Sequence, residues 1–195
     1  VSKASEAYDA QPKGQARKSR RKGEKMKEKP QEYIKRILGY VEGKDALKVL
    51  AGTAKKLQGL VKGQATSKLR KRPAPGKWSV REILAHLADT EMVTGWRMRQ
   101  ILGSPGTPIQ AFDQDSWAAA CHYDKRDPRK ALEQFRVQRE ANLALLKSLA
   151  PIQWKHYGAH AERGKETIKH MVWLQAGHDL NHIWQIERAL APNKS

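Results

Sequence analysis

Two histidines, His178 and His182, stand four residues apart in the segment Gly177-His178-Asp179-Leu180-Asn181-His182-Ile183-Trp184-Gln185-Ile186. On a helix, residues at i and i+4 share a face, with Cβ atoms about 5–6 Å apart. Two imidazoles so placed can bind one metal ion through their ring nitrogens. Met171, Gln175, Ile186 and Ala189 fall on the same stripe, with Leu174 and Leu190 at its edges, so the pair faces inward. Polar rings inside an apolar stripe need partners, because burying them unpaired is costly. Two readings follow: a metal centre, or two core histidines satisfied by neighbouring side chains and backbone. The zinc-protease motif H-E-x-x-H is rejected, because Asp179 holds its second position and the shorter side chain would misplace a general base.

Two histidines alone hold a metal weakly, so a third ligand must come from elsewhere in the fold. His86 is the best candidate: it lies near the start of a different helix, and an antiparallel arrangement brings it level with His178 and His182. Three histidines with an open fourth position are the pattern of a catalytic zinc, which lowers the pKa of bound water or takes up a thiol as its thiolate. Arg139 could clamp a substrate carboxylate bidentately, or lie at the rim with its stem packed and its head in water. His160, in the loop before the last helix, could serve as acid or base, or be a surface histidine. Glu91 and Asp179 could orient the ligating histidines or be solvated. Trp78, Trp96, Trp173 and Trp184 read as core and interface aromatics.

The elements that must position these residues are helical. Tyr33, Ile34, Ile37, Leu38 and Val41 recur at helical spacing, interrupted by Gly43. A helix is expected from Asp45 to Val61, then a linker over residues 68–76, where two prolines and a glycine forbid continuation. Ser79 and Glu82 form a capping box for a helix running to Leu102. Residues 103–127 form a long connection, with a short helix near Ser116–Cys121. Asp127-Pro128 opens the next helix, whose seam is Leu132, Phe135, Arg139, Asn142, Leu146 and Leu149. The last helix spans Thr167 to Ala191. No alternation of strand length is present, so the expected fold is all-α, a four-helix bundle in which metal sites form between facing helices.

Two of these segments carry a family resemblance. The stretch Lys77-Trp78-Ser79-Val80-Arg81-Glu82-Ile83-Leu84-Ala85-His86-Leu87-Ala88-Asp89-Thr90-Glu91 resembles the first signature of the DinB superfamily, a Trp followed by a helix with a His-Leu-x-x-x-Glu element. The segment Ala176–Ile186 resembles its second, H-x-x-x-H followed by Gln and an aliphatic residue. The resemblance covers about Asp45 to Leu190. It implies an up-down-down-up four-helix bundle with zinc or nickel on His86, His178 and His182. It also implies an enzyme that activates a low-molecular-weight thiol for transfer to a small-molecule electrophile, with metal-dependent hydrolysis as the alternative, and a homodimer.

Composition bounds the rest. The chain has 195 residues and a formal charge of +18. Residues 1–77 hold 22 Lys and Arg against 7 Asp and Glu, whereas residues 78–195 hold 16 against 13. The basicity therefore belongs to the N-terminal part, and residues 1–30 read as a disordered basic extension of a domain spanning 31–195. Nucleic acid could be contacted only through that arm, which defines the rival reading of a non-catalytic binding protein. Cys121 is the only cysteine, so no internal disulfide forms. No apolar run is long enough for a membrane span, and the expected location is cytoplasmic.

Overall fold

The computed structural model describes residues 28–192. The expectation of a disordered basic arm therefore lies, as far as Lys27, outside the described residues. At Pro30, the last residue assigned to that arm, the chain is already helical. Helix α1 (Pro30–Val41) opens on that proline, whose missing N–H costs nothing at a first helical position.

Side-chain caps set most of the remaining boundaries. Asp45 accepts from the Lys48 amide and starts α2 (Ala46–Val61). A short helix, α3 (Thr66–Arg70), follows. It occupies the front of the expected linker, where fully buried Leu69 anchors it, and the prolines act only afterwards. The Ser79–Glu82 capping box is formed in both directions and opens α4 (Val80–Gly103). The long connection carries β1 (Pro108–Ile109) and α5 (Gln114–Ala120), the latter capped by Asp113. Asp127 and Pro128 begin α6 (Pro128–Lys147). A 3-10 turn at Gln153–Lys155, strands β2 (Tyr157–His160) and β3 (Gly164–Thr167), and α7 (Ile168–Leu190) complete the chain.

The three strands correct the strand-free expectation. β2 pairs antiparallel with β3 and parallel with β1. At two to four residues each, they are too short to display an alternating pattern in sequence. The sheet is an accessory to an all-α fold and closes the crossover against the hairpin before α7.

Side-chain pairings give the helix directions. Glu91 meets Arg139 and Arg99 meets Asn142, so α4 and α6 run parallel. His86 meets His178 and Thr94 meets Gln175, so α4 and α7 run antiparallel. Leu57 shares a core cluster with Ile183 and Ile186, and Leu50 shares another with Val172 and Ala176, so α2 runs with α7. The order is up-down-down-up, as expected, and the crossover between α4 and α6 is what permits two adjacent parallel helices.

The apolar core is divided. One cluster gathers Leu57, Leu84, Leu87, Phe135 and Ile186, and the other Leu50, Met98, Ile101, Leu146 and Val172. Buried polar residues occupy the middle of the bundle, among them Glu91, Arg139, Asn142, Gln175 and Asp179. Helix α1 lies against α7 at Gly177, where a Cβ would fall 2.1 Å from the Ile37 carbonyl oxygen.

Two outcomes are expected. Gly177→Ala should destabilise the protein by about 1–3 kcal/mol, the usual cost of overpacking, measured by urea unfolding, because the obstacle is backbone. The second concerns Glu82. Burial raises its carboxyl, but hydrogen bonds from Arg72 and Ser79 outweigh burial and hold it below its ordinary value. A depressed carboxyl stabilises the fold above its unfolded value of about 4.3 and loses that contribution as pH falls through the lower folded value. Glu82→Gln should thus be less stable at neutral pH, and its stability should decline less steeply than the wild type's below about pH 4.3, read as melting temperature against pH.

Candidate metal centre

Helix α4 contributes His86 from its second turn, and α7 contributes His178 and His182 from consecutive turns of one face. The Nε2 of His178 lies 3.0 Å from that of His86 and 3.1 Å from that of His182. Nitrogens bound tetrahedrally to one zinc sit about 3.3 Å apart, given bonds of 2.0–2.1 Å. Among the described residues this is the one cluster of three or more potential ligands whose donor atoms all lie within 4.8 Å of one another.

All three rings are buried, at 2%, 7% and 5% exposure for His86, His178 and His182. Burial holds His86 and His178 well below the usual histidine value, and neighbouring imidazoles add to the effect. Burial also pushes His182 down to about 4, against opposing effects of Gln185 and Asp179. The rings are therefore neutral at pH 7, the form that ligates metals. Gln185 Oε1 lies 3.0 Å from Nδ1 of His182. It accepts the Nδ1 proton, which leaves the Nε2 lone pair facing the centre. Trp78 packs against His86 with ring centroids 5.0 Å apart.

These residues fit a divalent cation. The ring nitrogens converge at distances that one shared cation would satisfy, and the buried Nδ1 of His178 has no hydrogen-bond partner among the described residues to pull its ring elsewhere. A trio of imidazoles is a donor set for zinc or nickel. Two cavities reach the cluster. One of about 650 Å³ touches His182, and one of about 240 Å³ touches His86 and His178. Tyr33 of α1 and Gln114 of α5 line both.

Neither Arg139 nor His160 lines these two cavities. Arg139 is 2% exposed. It donates to Asp179 at 2.6 and 3.2 Å, to Glu91 at 2.7 Å and to the Leu50 carbonyl at 3.0 Å. Its guanidinium, expected either to clamp a substrate or to reach water, is occupied by internal partners. Glu91 and Asp179, considered as supports for the histidines, hold this arginine instead, and Asn142 Nδ2 donates to Glu91 at 2.8 Å. His160 ends β2, where its Nδ1 accepts from the amides of Glu162 and Arg163 at 3.1 and 3.3 Å. It is a buried turn-closing residue, not the surface histidine considered from the loop composition.

Sequence reasoning met Gln185 only as part of the family signature and gave no role to it, to Thr90 or to Tyr33. For Gln185 a signal existed: three residues beyond His182, it shares a helical face with it. Thr90 follows His86 by one turn, and its hydroxyl lies 3.5 Å from that ring. Tyr33 had no signal, because only the docking of α1 brings it to the site.

Comparison with known proteins agrees with this architecture. The sequence model of the DinB superfamily matches residues 50–186. A Bacillus subtilis protein named "Putative metal-dependent hydrolase YfiT" is 29% identical over 161 residues, covering 81% of this chain and 87% of its own length. The similarly named BH0277 of Halalkalibacterium halodurans is 24% identical over 126 residues, 65% of this chain and 73% of its own. The solved structure of YfiT, described as having an unusual four-helix bundle topology, superposes with a TM-score of 0.66 at 24% identity, over 84% of this chain and 90% of that one.

Removing one partner from a buried ion pair leaves an uncompensated charge. Arg139→Met strands two carboxylates and should cost about 3–5 kcal/mol in denaturant-unfolding stability. A loss below about 1 kcal/mol, the range of an exposed pair, would contradict the network.

Proposed function

The chain belongs to the DinB superfamily, and from that premise we propose that it is a metal-dependent hydrolase whose divalent ion, zinc or nickel, is held by His86, His178 and His182. The observation that carries this reading is the convergence of three neutral imidazole Nε2 atoms, on rings that line two cavities. A divalent ion there would supply Lewis acidity and the power to make water or a thiol nucleophilic near neutral pH.

The surrounding residues prepare the ligands. Gln185 fixes the His182 tautomer, and Trp78 restricts the His86 ring. Arg139 is a positioning residue in this reading: it grips Asp179 and so holds the turn of α7 that bears His178. His160 keeps the β2–β3 turn closed, which sets where Arg163 stands. The names of the relatives favour water over a thiol as nucleophile. Transfer of a low-molecular-weight thiol to an electrophile would use the same centre with a different incoming group.

Elemental analysis of the purified protein should find about one zinc or nickel per chain, and His182→Ala should abolish retention. No stoichiometric metal after supplementation with both ions would overturn the reading. Metal-loaded protein should then cleave members of an activated-ester panel in the absence of thiol. Turnover that needs an added thiol and yields its conjugate would reassign the reaction to thiol transfer.

A further inference from the structure

The smaller cavity is lined by a buried charge that no carboxylate among the described residues pairs with. Arg97 is 6% exposed, yet among the described residues no carboxylate forms an ion pair with it. Among the described residues its Nε is buried without a partner, and its guanidinium donates to the backbone carbonyl of Gln110. The Phe112 ring lies beneath the guanidinium, 5.7 Å away at its centroid. The acid that shares this cavity, Glu166, is committed to Arg163 through contacts of 2.6 and 2.9 Å. Two guanidinium groups and one carboxylate therefore face the same space, an excess of one positive charge. Burial pulls Arg97 down to about 10, with Arg163 adding to that effect and Glu166 opposing it.

An unpaired buried charge is among the most costly features a fold can carry. Arg139 shows how this protein treats such a group when the need is structural: two carboxylates and a carbonyl surround it. Arg97 lacks that provision and borders a cavity. Its position on α4 is also ordered. His86, Thr90, Thr94 and Arg97 follow one another at helical spacing and all line the smaller cavity. At 1.5 Å per residue, His86 and Arg97 are separated by about 16 Å along the axis, with two threonines between them.

We propose that this chamber of about 240 Å³ is the substrate subsite for an anionic terminus, with Arg97 pairing a carboxylate or phosphate on a molecule whose other end reaches His86 and His178. The proposal rests on the metal-centre reading for the identity of the reacting end. It assigns the far end independently: the substrate is an elongated small acid, and Arg97 is the residue that selects its charge.

The test compares hexanoate, hexyl phosphate and neutral hexanamide by isothermal titration against the protein as purified. At least one anion should bind about tenfold or more tighter than the amide, as expected for a charge-assisted hydrogen bond, and the tighter of the two identifies the source group. Arg97→Gln should reduce that anion to the level of the amide while leaving metal content unchanged, and Arg97→Lys should retain part of the preference. His182→Ala, which removes a metal ligand and leaves Arg97 in place, should keep the preference. Failure of the metal reading therefore appears in elemental analysis, and failure of this one in the Arg97 variants. Should Arg97→Gln fail to fold, Thr94→Glu supplies a carboxylate from within: it should raise the melting temperature and erase the rise that the anion produces in the wild type. Equal binding of amide and acids, or an anion preference that survives Arg97→Gln, or an anion-induced rise that survives Thr94→Glu, overturns the proposal.

Discussion

One guanidinium organises this bundle. Arg139, on α6, takes its partners from three other helices: Glu91 of α4, Asp179 of α7 and the Leu50 carbonyl of α2. A buried cation must be answered, and each answering group lies at a fixed height on its own helix. The four long helices are thereby held in one axial register. That register brings His86 level with His178 and His182 although they come from helices running in opposite directions. Hydrophobic clusters on either side provide most of the burial, but apolar surfaces tolerate sliding in a way that a hydrogen-bonded ion pair does not.

Helix α7 serves both purposes with adjacent stripes. Gln175 and Asp179, one turn apart, face the polar layer, and Gln175 Oε1 accepts from Thr94 of α4 at 3.1 Å. His178 and His182, also one turn apart, face the two cavities. The residue that a zinc protease would use as a base is here an acid fully withdrawn from solvent and bound to Arg139. The three-nitrogen site could hold a divalent ion, while superfamily membership and fold alone do not choose the reaction. The contrast between Arg139, enclosed by internal acids, and Arg97, left facing a chamber, separates a charge used for architecture from one available to a ligand.

Much of this was legible beforehand. Ser79 and Asp127 marked helix starts because a cap is a local interaction between a side chain and amides two or three residues on. The seam through Leu132, Phe135, Arg139, Asn142, Leu146 and Leu149 was visible as a period, and all of these residues but the half-buried Leu149 are buried. The short sheet escaped notice because strands of so few residues have no period to read. The helix α3 escaped because proline and glycine nearby dominated the local pattern, whereas buried Leu69 holds it in place.

From the residues alone came the helices, their capped ends and the pairing of His178 with His182, since all of these follow from interactions within a few positions along the chain. His86 came from its place near the start of a different helix, and the resemblance of two segments to a family supported it. What only the tertiary structure decided were the partners of each polar group: that Arg139 is consumed by Glu91 and Asp179, that His160 closes its own turn, that α1 brings Tyr33 to the site, and that Arg97 has no ion-paired carboxylate among the described residues. A side chain's type states what partner it requires. Whether another residue meets that requirement depends on contacts between positions far apart in sequence, which no local pattern encodes.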